Sequence, residues 1–149
     1  MNTSSSTTNT LNASIDLTGR VLISVLFIMA GVSKLGAGYE GTQGYMEAMG
    51  VPGMLLPLVI LTEIGGGLLI LVGYQTRLSA LALAGFSIVS ALLFHANLAD
   101  QMQQILFMKN IAIAGGFLFL ISNGAGRFSV DYQLAKPRES QHISMRQAS

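Results

Sequence analysis

The sequence predicts an all-α, polytopic membrane protein, a bundle of four transmembrane helices with a short interfacial helix in the first outer loop. Hydrophobic residues make up 51% of the 149 residues and charged residues only 10%, whereas soluble domains carry about 25% charged residues. A small globule cannot hide this apolar excess, because much of its chain lies at the surface. The apolar residues also fall into four long runs.

These runs predict the spans. About 20 apolar residues cross a hydrocarbon core, and residues 78–99 contain no formally charged side chain. The other three runs each contain an ionisable residue. All four are apolar around most of their circumference, which favours membrane spans over the buried helices of a soluble α-protein. We expect the spans at about 17–35, 54–74, 77–98 and 104–123.

The flanks of this 16–131 domain are polar. Residues 1–15 have no basic region and no apolar core, so we expect a disordered N-terminus and not a cleaved signal peptide. Residues 132–149 are expected to form a polar tail. One side of the predicted bundle collects six cations, and the other side carries only Lys34 and Lys109; the six are Arg20, Arg77, Arg127, Lys136, Arg138 and Arg146. The positive-inside rule therefore predicts cytoplasmic termini.

The first outer loop, residues 36–53, is rich in glycine. Within it Tyr45, Met46 and Met49 share one face of a possible short helix, with Glu47 opposite. This pattern favours a helix lying in the outer interface, anchored by tyrosine rings. A lid over a pocket is the alternative.

Small residues mark the predicted helix contacts, because membrane helices approach most closely where side chains are small. At 100° per residue Lys34 lies on the same face of the first span as Gly31, Glu63 stands over two glycines, and Lys109 lies with a glycine of the last span. We therefore expect these polar groups to point at neighbouring helices. The predicted packing residues are Gly31, Gly66, Gly67, Ala84, Gly115 and Gly116.

Polar groups inside a membrane are candidates for function by default. Counted along the helices, Lys34 and His95 lie near the outer surface, while Lys109 and Glu63 lie deeper. We expect a Lys109–Glu63 pair capped outward by His95 and Lys34, with Asn110 nearby, as a ligand or proton site. The alternatives are a structural ion pair, a Lys34 that extends to the headgroups, and an interfacial hydrogen-bonding role for His95.

Several chemistries are excluded. The chain has no cysteine, so it forms no disulfide, thiolate nucleophile or cysteine-ligated cluster. A net charge of +1 gives no basic field for nucleic acid. His95 is the only histidine in a predicted span, so one chain cannot supply two histidine ligands to a haem. No metal site or catalytic residue set has recognisable spacing, so nothing indicates a self-sufficient enzyme.

Several short motifs resemble the DoxX family of small bacterial membrane proteins, and most closely its inner-membrane members. The resemblance covers about residues 16–131. The motifs are Gly19-Arg20, Gly31-Val32-Ser33-Lys34-Leu35, Tyr45-Met46, Gly50-Val51-Pro52, Leu61-Thr62-Glu63-Ile64-Gly65-Gly66-Gly67, Gly73-Tyr74-Gln75-Thr76-Arg77, Leu93-Phe94-His95, Met108-Lys109-Asn110 and Ala114-Gly115-Gly116.

The resemblance implies a four-helix bundle in the bacterial cytoplasmic membrane. Some relatives are described as subunits of thiosulfate:quinone oxidoreductase or of membrane oxidoreductase complexes linked to oxidative stress. More distant relatives carry cysteines that this chain lacks, which argues against direct thiol or thiosulfate chemistry. The family pattern picks out the same polar set, Lys34, Glu63, His95, Lys109 and Asn110.

We therefore expect a non-catalytic or quinone-interacting subunit of a membrane redox or oxidative-stress system. A quinone is the one cofactor that this hypothesis names. The expected partners are the lipid bilayer and either redox-protein subunits or further copies of the chain, with no nucleic acid. A proton-coupled or small-solute transporter and a purely structural or interaction protein remain the alternatives.

Overall fold

The computed structural model describes residues 3–136, with side chains from residue 8 onward, and the described backbone is helical with no strand. A short 3-10 turn, Gly53–Leu55, precedes the third helix. The helices are α1 Thr3–Ser33, α2 Gly38–Ala48, α3 Leu56–Val72, α4 Thr76–Phe94, α5 Gln101–Asn123 and α6 Val130–Ala135. The predicted all-helical class is confirmed.

Four of these helices are long and apolar enough to cross a membrane, as the composition predicts. The candidate spans cover Thr8–Ser33, Gly53–Val72, Thr76–Phe94 and Gln101–Asn123. The short helix α2 lies between the first two spans, where the sequence predicts a helix in the outer loop.

Local signals set the ends of the helices. A proline in the first turn of α3 suits a position where no backbone N–H is needed. Gly73 ends α3 with φ +70°, a left-handed conformation that glycine adopts without strain. At the other end of the bundle the Asp100 carboxylate caps α5 by accepting from the Gln103 backbone N–H at 2.9 Å.

The spans pack in the order α1, α3, α4, α5. Glycines bring α3 close to both neighbours: a Cβ on Gly66 would lie 2.9 Å from Leu83 in α4, and one on Gly67 would lie 2.9 Å from Ile28 in α1. The main core then fills the space among the four spans with the buried side chains of Phe27, Ile70, Ala80, Leu83, Ala84, Ala114 and Phe117.

The other predicted packing residues differ in how closely they contact a neighbouring helix. Gly31 faces α3, because a Cβ there would meet Ile64 at 2.5 Å, and Ala84 is 3% exposed in the core. A Cβ on Gly116 would make only an ordinary contact, 3.8 Å from Ile23. Gly115 lies at no helix contact: a Cβ there would meet nothing within 4 Å, since α5 packs through Ala114 and Phe117 instead.

Both flanks contain helix within the described residues. Residues 3–15 are helical and extend α1 well before the predicted start at position 17. Part of the expected polar tail forms α6, whose N-terminus is capped by the Ser129 hydroxyl. Residues 1–2 and 137–149, which complete the two predicted flanks, lie outside the described residues.

Arg20 has a structural role that charge counting does not reveal. Its side chain is fully buried and donates to the carbonyl oxygens of Ile70 at 3.2 Å and Leu71 at 3.1 Å, as well as to that of Phe128. The first two carbonyls belong to the last turn of α3, where the regular helical hydrogen bonds end; the Ile70 carbonyl oxygen also accepts from the Gly73 N–H at 3.1 Å. Arg20 therefore joins α1 to the end of α3 and to the segment after α5.

Asp131 completes this junction. Its carboxylate accepts from the backbone N–H groups of Gln75 and Thr76, both at 2.8 Å, at the N-terminus of α4. Burial alone would raise the pKa of Asp131, but the hydrogen bonds from Thr76 and Gln75 and the charge of Arg20 outweigh it and hold this pKa below its usual range. A residue beyond the last predicted span thus caps the start of another span.

Candidate functional site

A cavity of about 350 Å³ lies between the pair α1 and α3 and the pair α4 and α5, near the end of α1 that carries Lys34. This volume is at the small end of the usual range for ligand pockets, about 300 to 1,000 Å³. All five sequence-predicted polar residues line it, together with apolar side chains from the four spans and from α2. The polar set is Lys34, Glu63, His95, Lys109 and Asn110.

The ion pair in the cavity joins Lys34 and Glu63. The Lys34 Nζ lies 2.8 Å from Glu63 Oε2 and 2.9 Å from Oε1, and it also donates to the Ala30 carbonyl oxygen at 3.0 Å. The expected Lys109–Glu63 pair is therefore wrong in its partner. Lys34 does not simply extend outward either, because its side chain is 22% exposed and that of Glu63 only 7%.

Helix packing explains the partner. α1 lies directly against α3, whereas α5 lies against α4. Gly31 lets the two helices approach, since a Cβ on it would lie 3.2 Å from the Cβ of Glu63. Lys34 follows Gly31 by three residues and so stands on the same face of α1. Glu63 is consequently closer to the lysine of the adjacent helix.

His95 and Asn110 each form one hydrogen bond with a residue of α5. His95 Nδ1 lies 2.7 Å from Gln103 Oε1, so the ring hydrogen-bonds to a side chain in the first turn of α5. Asn110 Nδ2 donates to the Leu106 carbonyl oxygen at 3.2 Å. Asn110 itself lines the cavity.

Lys109 is the unneutralised charge of the site. It lines the cavity, yet its side chain is exposed, and no residue of the described chain forms a hydrogen bond or ion pair with it. Because Lys34 and Glu63 neutralise each other, the described lining carries one cation in excess. An ammonium group of this kind attracts an anionic or carbonyl oxygen.

Helix α2 covers the cavity. Thr42, Tyr45 and Met46 contribute to the lining, and Met46 is 3% exposed. The Tyr45 ring stacks on Phe94 of α4, with ring centroids 5.6 Å apart. These contacts therefore support the alternative prediction for α2, a lid over a pocket.

Where the cavity borders the main core, its lining is aromatic and includes Phe27 and Phe86. Phe27 lies 5.4 Å from Phe117 and 6.5 Å from Phe86, measured between ring centroids. Phe27 and Phe117 are 4% and 0% exposed, and they belong to the main core. The cavity thus has an apolar floor.

Sequence reasoning missed several contributors to the site. Gln103, the partner of His95, lies eight residues after it, in the first turn of α5. Asp100 caps the start of α5, and recognising this cap in the sequence would have placed Gln103 near His95. Thr42, Ser87 and Ser90 also line the cavity. No periodic signal distinguishes them from ordinary helix residues.

The chain is similar to one protein family and to two named membrane proteins. The DoxX family model matches residues 15–96. The chain is 55% identical over 120 residues to the inner membrane protein YqjF of Escherichia coli strain K12, covering 80% of this chain and 92% of the relative. It is 32% identical over 122 residues to the inner membrane protein YphA of the same organism, covering 77% and 86%. No solved structure matches.

Proposed function

The chain belongs to the DoxX family and is an inner membrane protein, and from this premise we propose that it is a quinone-binding, non-catalytic subunit of a membrane redox or oxidative-stress system. The observation that carries the proposal is the covered cavity, in which polar groups from all four spans meet apolar walls. Such a mixture of a few placed polar groups and mostly apolar walls is typical of sites for small organic ligands.

The lining suits a quinone ring in particular. A flat apolar ring would contact the aromatic and aliphatic walls, and the Lys109 ammonium would donate to a ring carbonyl oxygen. When bound, a quinone supplies two-electron, two-proton redox chemistry. Glu63 and His95 lie at the same cavity and are the groups that would hold the protons, while the Lys34–Glu63 pair keeps the carboxylate in place.

The packed floor favours ligand binding over permeation. A transporter needs a path to the second side of the membrane, but Phe27 and Phe117 are buried in the core beneath the cavity. A purely structural role would leave Lys109 without a use, because its charge has no partner in the described chain. Charged groups inside a membrane without a structural partner are expensive and point to function.

We also propose that both termini face the cytoplasm. Arg77, Arg127 and Lys136 lie at the end of the bundle where α3 joins α4 and where α5 ends, while Lys34 and Lys109 lie at the cavity. Cations within a few residues of the spans orient membrane proteins with that side inward. The cavity would then open toward the outer leaflet.

The proposal is tested by extracting the protein from native membranes in a mild detergent and measuring quinone per chain by liquid chromatography and mass spectrometry. We expect about one quinone per chain in the wild type and a marked loss in Lys109→Met. Lys136→Met removes a lysine outside the cavity and should retain the wild-type amount. Absence of quinone from the wild type, or equal amounts in Lys109→Met and Lys136→Met, would contradict the proposal.

A further inference from the structure

A second cavity lies at the opposite end of the bundle, between the start of α1 and α6. This basic groove has a volume of about 520 Å³, and its lining includes Asn9, Arg127, Phe128, Tyr132, Gln133 and Lys136. It shares no residue with the site proposed for quinone. No acidic side chain of the described chain lines it.

Two cations converge on one ring in the basic groove. Arg127 Cζ lies 5.9 Å from the centroid of Tyr132, and Lys136 Nζ lies 5.4 Å from it. Neither forms a salt bridge with an acid among the residues that the structure describes. Like charges held around one ring repel each other, so an anion placed between them would lower the electrostatic energy.

The position of the basic groove limits the source of that anion. Arg127 follows the last residue of α5, Asn123, by only four positions, so the groove lies where the spans end. Phe128 is 50% exposed and Tyr132 is 37% exposed beside it. Aromatic rings next to cations are typical of the boundary between hydrocarbon and headgroups, where a phospholipid offers its phosphate and its acyl chains together.

We propose that the basic groove binds the headgroup of an anionic phospholipid. Arg127 and Lys136 would contact the phosphate, the amide groups of Asn9 and Gln133 would donate to its remaining oxygens, and the acyl chains would lie along Phe128. Basic pockets beside membrane helices recognise anionic headgroups in this way. This lipid would bridge α1 and α6 at the end of the bundle where Asp131 caps α4.

The test uses the full-length protein, delipidated in detergent and titrated with cardiolipin, phosphatidylglycerol or phosphatidylethanolamine, with bound lipid counted by native mass spectrometry. We expect the two anionic lipids to bind more tightly than phosphatidylethanolamine. Arg127→Gln should weaken their binding about fivefold, equivalent to about 1 kcal/mol for one cation at the surface, and Arg127→Gln with Lys136→Gln roughly 30-fold. Arg77→Gln removes an arginine at the same end but outside the groove and should bind as the wild type does.

A conservative variant and a competing anion test whether the groove binds a lipid through its positive charge. Lys136→Arg keeps the charge and should bind lipid as the wild type does, and the melting temperature of each variant checks that it is folded. Equal binding by Arg127→Gln and Arg77→Gln would overturn the proposal, and so would equal affinity for phosphatidylethanolamine. Displacement of the lipid by millimolar inorganic phosphate would assign the groove to a free anion and overturn the lipid assignment.

Discussion

The Glu63 side chain is 7% exposed and pairs with one neighbouring cation of the described chain, the Lys34 ammonium. Removing one partner of a buried ion pair costs about 3 to 5 kcal/mol, because the remaining charge is left uncompensated. Lys109, by contrast, has no partner to lose in the described chain. The two lysines of the cavity therefore differ in what they stabilise.

We predict that Lys34→Met lowers the free energy of unfolding by about 3 kcal/mol, the low end of that range because the Lys34 side chain is 22% exposed. Lys109→Met should change it by about 0.5 kcal/mol or less. Combining Lys34→Met with Glu63→Leu should recover much of the loss, since neither charge of the pair remains. Unfolding in detergent micelles, followed by circular dichroism, measures all three. A larger loss of unfolding free energy in Lys109→Met than in Lys34→Met would instead support the Lys109–Glu63 pair expected from the sequence.

Residue periodicity could predict which side chains face the interior, but not which of them meet. Arg20, Gly31 and Lys34 share the inward face of α1, as their 100° spacing indicates. The partner of Glu63 depended on which helix packs against α3, and one sequence contains no record of helix neighbours. The sequence predicts only a topological role for Arg20, because its acceptors, Ile70 and Phe128, are distant in sequence.

At the level of single elements, α2 has the features of a movable cover. Glycines with positive φ flank it, Gly36 at +56° and Gly50 at +78°, and such residues turn the chain sharply at both ends. The contact between α2 and the spans includes the buried Met46 and the Tyr45–Phe94 stack. Opening the cavity at this side requires that stack to separate.

We predict that holding α2 against α4 slows ligand exchange. The chain has no cysteine, so Tyr45→Cys with Phe94→Cys provides a single reactive pair at rings 5.6 Å apart, which a short cleavable thiol cross-linker can join. Release of a bound quinone, followed by its absorbance, should be slower after cross-linking and recover after cleavage. Each single-cysteine variant is the matched control. Unchanged release in the cross-linked protein would mean that α2 is not the route of entry.

The cap on α4 gives a second prediction at this scale. Asp131→Ala removes a carboxylate that accepts two backbone N–H groups, and loss of a cap costs roughly 0.5 to 2 kcal/mol. The pKa of Asp131 is lowered in the folded protein, so its contribution is complete above the ordinary carboxyl value of about 3.9. The contribution disappears as pH falls through the lowered folded pKa.

The difference in melting temperature between wild type and Asp131→Ala should therefore be constant at neutral pH and shrink in acid. Glu40→Ala, which removes an exposed acid from α2, serves as the control and should change the free energy of unfolding by no more than about 0.5 kcal/mol. A difference that persists below the folded pKa would show that Asp131 acts without its charge. Equal losses of stability in Asp131→Ala and Glu40→Ala would contradict the capping role of Asp131.

Across the whole molecule, the two ends of the bundle have different construction. One end holds a covered cavity with polar groups in its walls. The other is closed by Arg20, Asp131 and the segment that follows α5. The number and class of the spans were predictable because apolar runs of this length have few other uses. The closed end was not, since its contacts join residues at least 50 positions apart.

This asymmetry leads to a prediction about orientation. Arg77, Arg127 and Lys136 lie at the closed end, which the positive-inside rule assigns to the cytoplasm. In the cysteine-free chain, Glu40→Cys at the cavity end and Gln133→Cys at the closed end give one thiol each, both at exposed positions. A membrane-impermeant maleimide applied to spheroplasts should label Glu40→Cys at once and Gln133→Cys only after lysis. The reverse order would place the cavity at the cytoplasmic side and require its ligand to come from the inner leaflet or the cytoplasm.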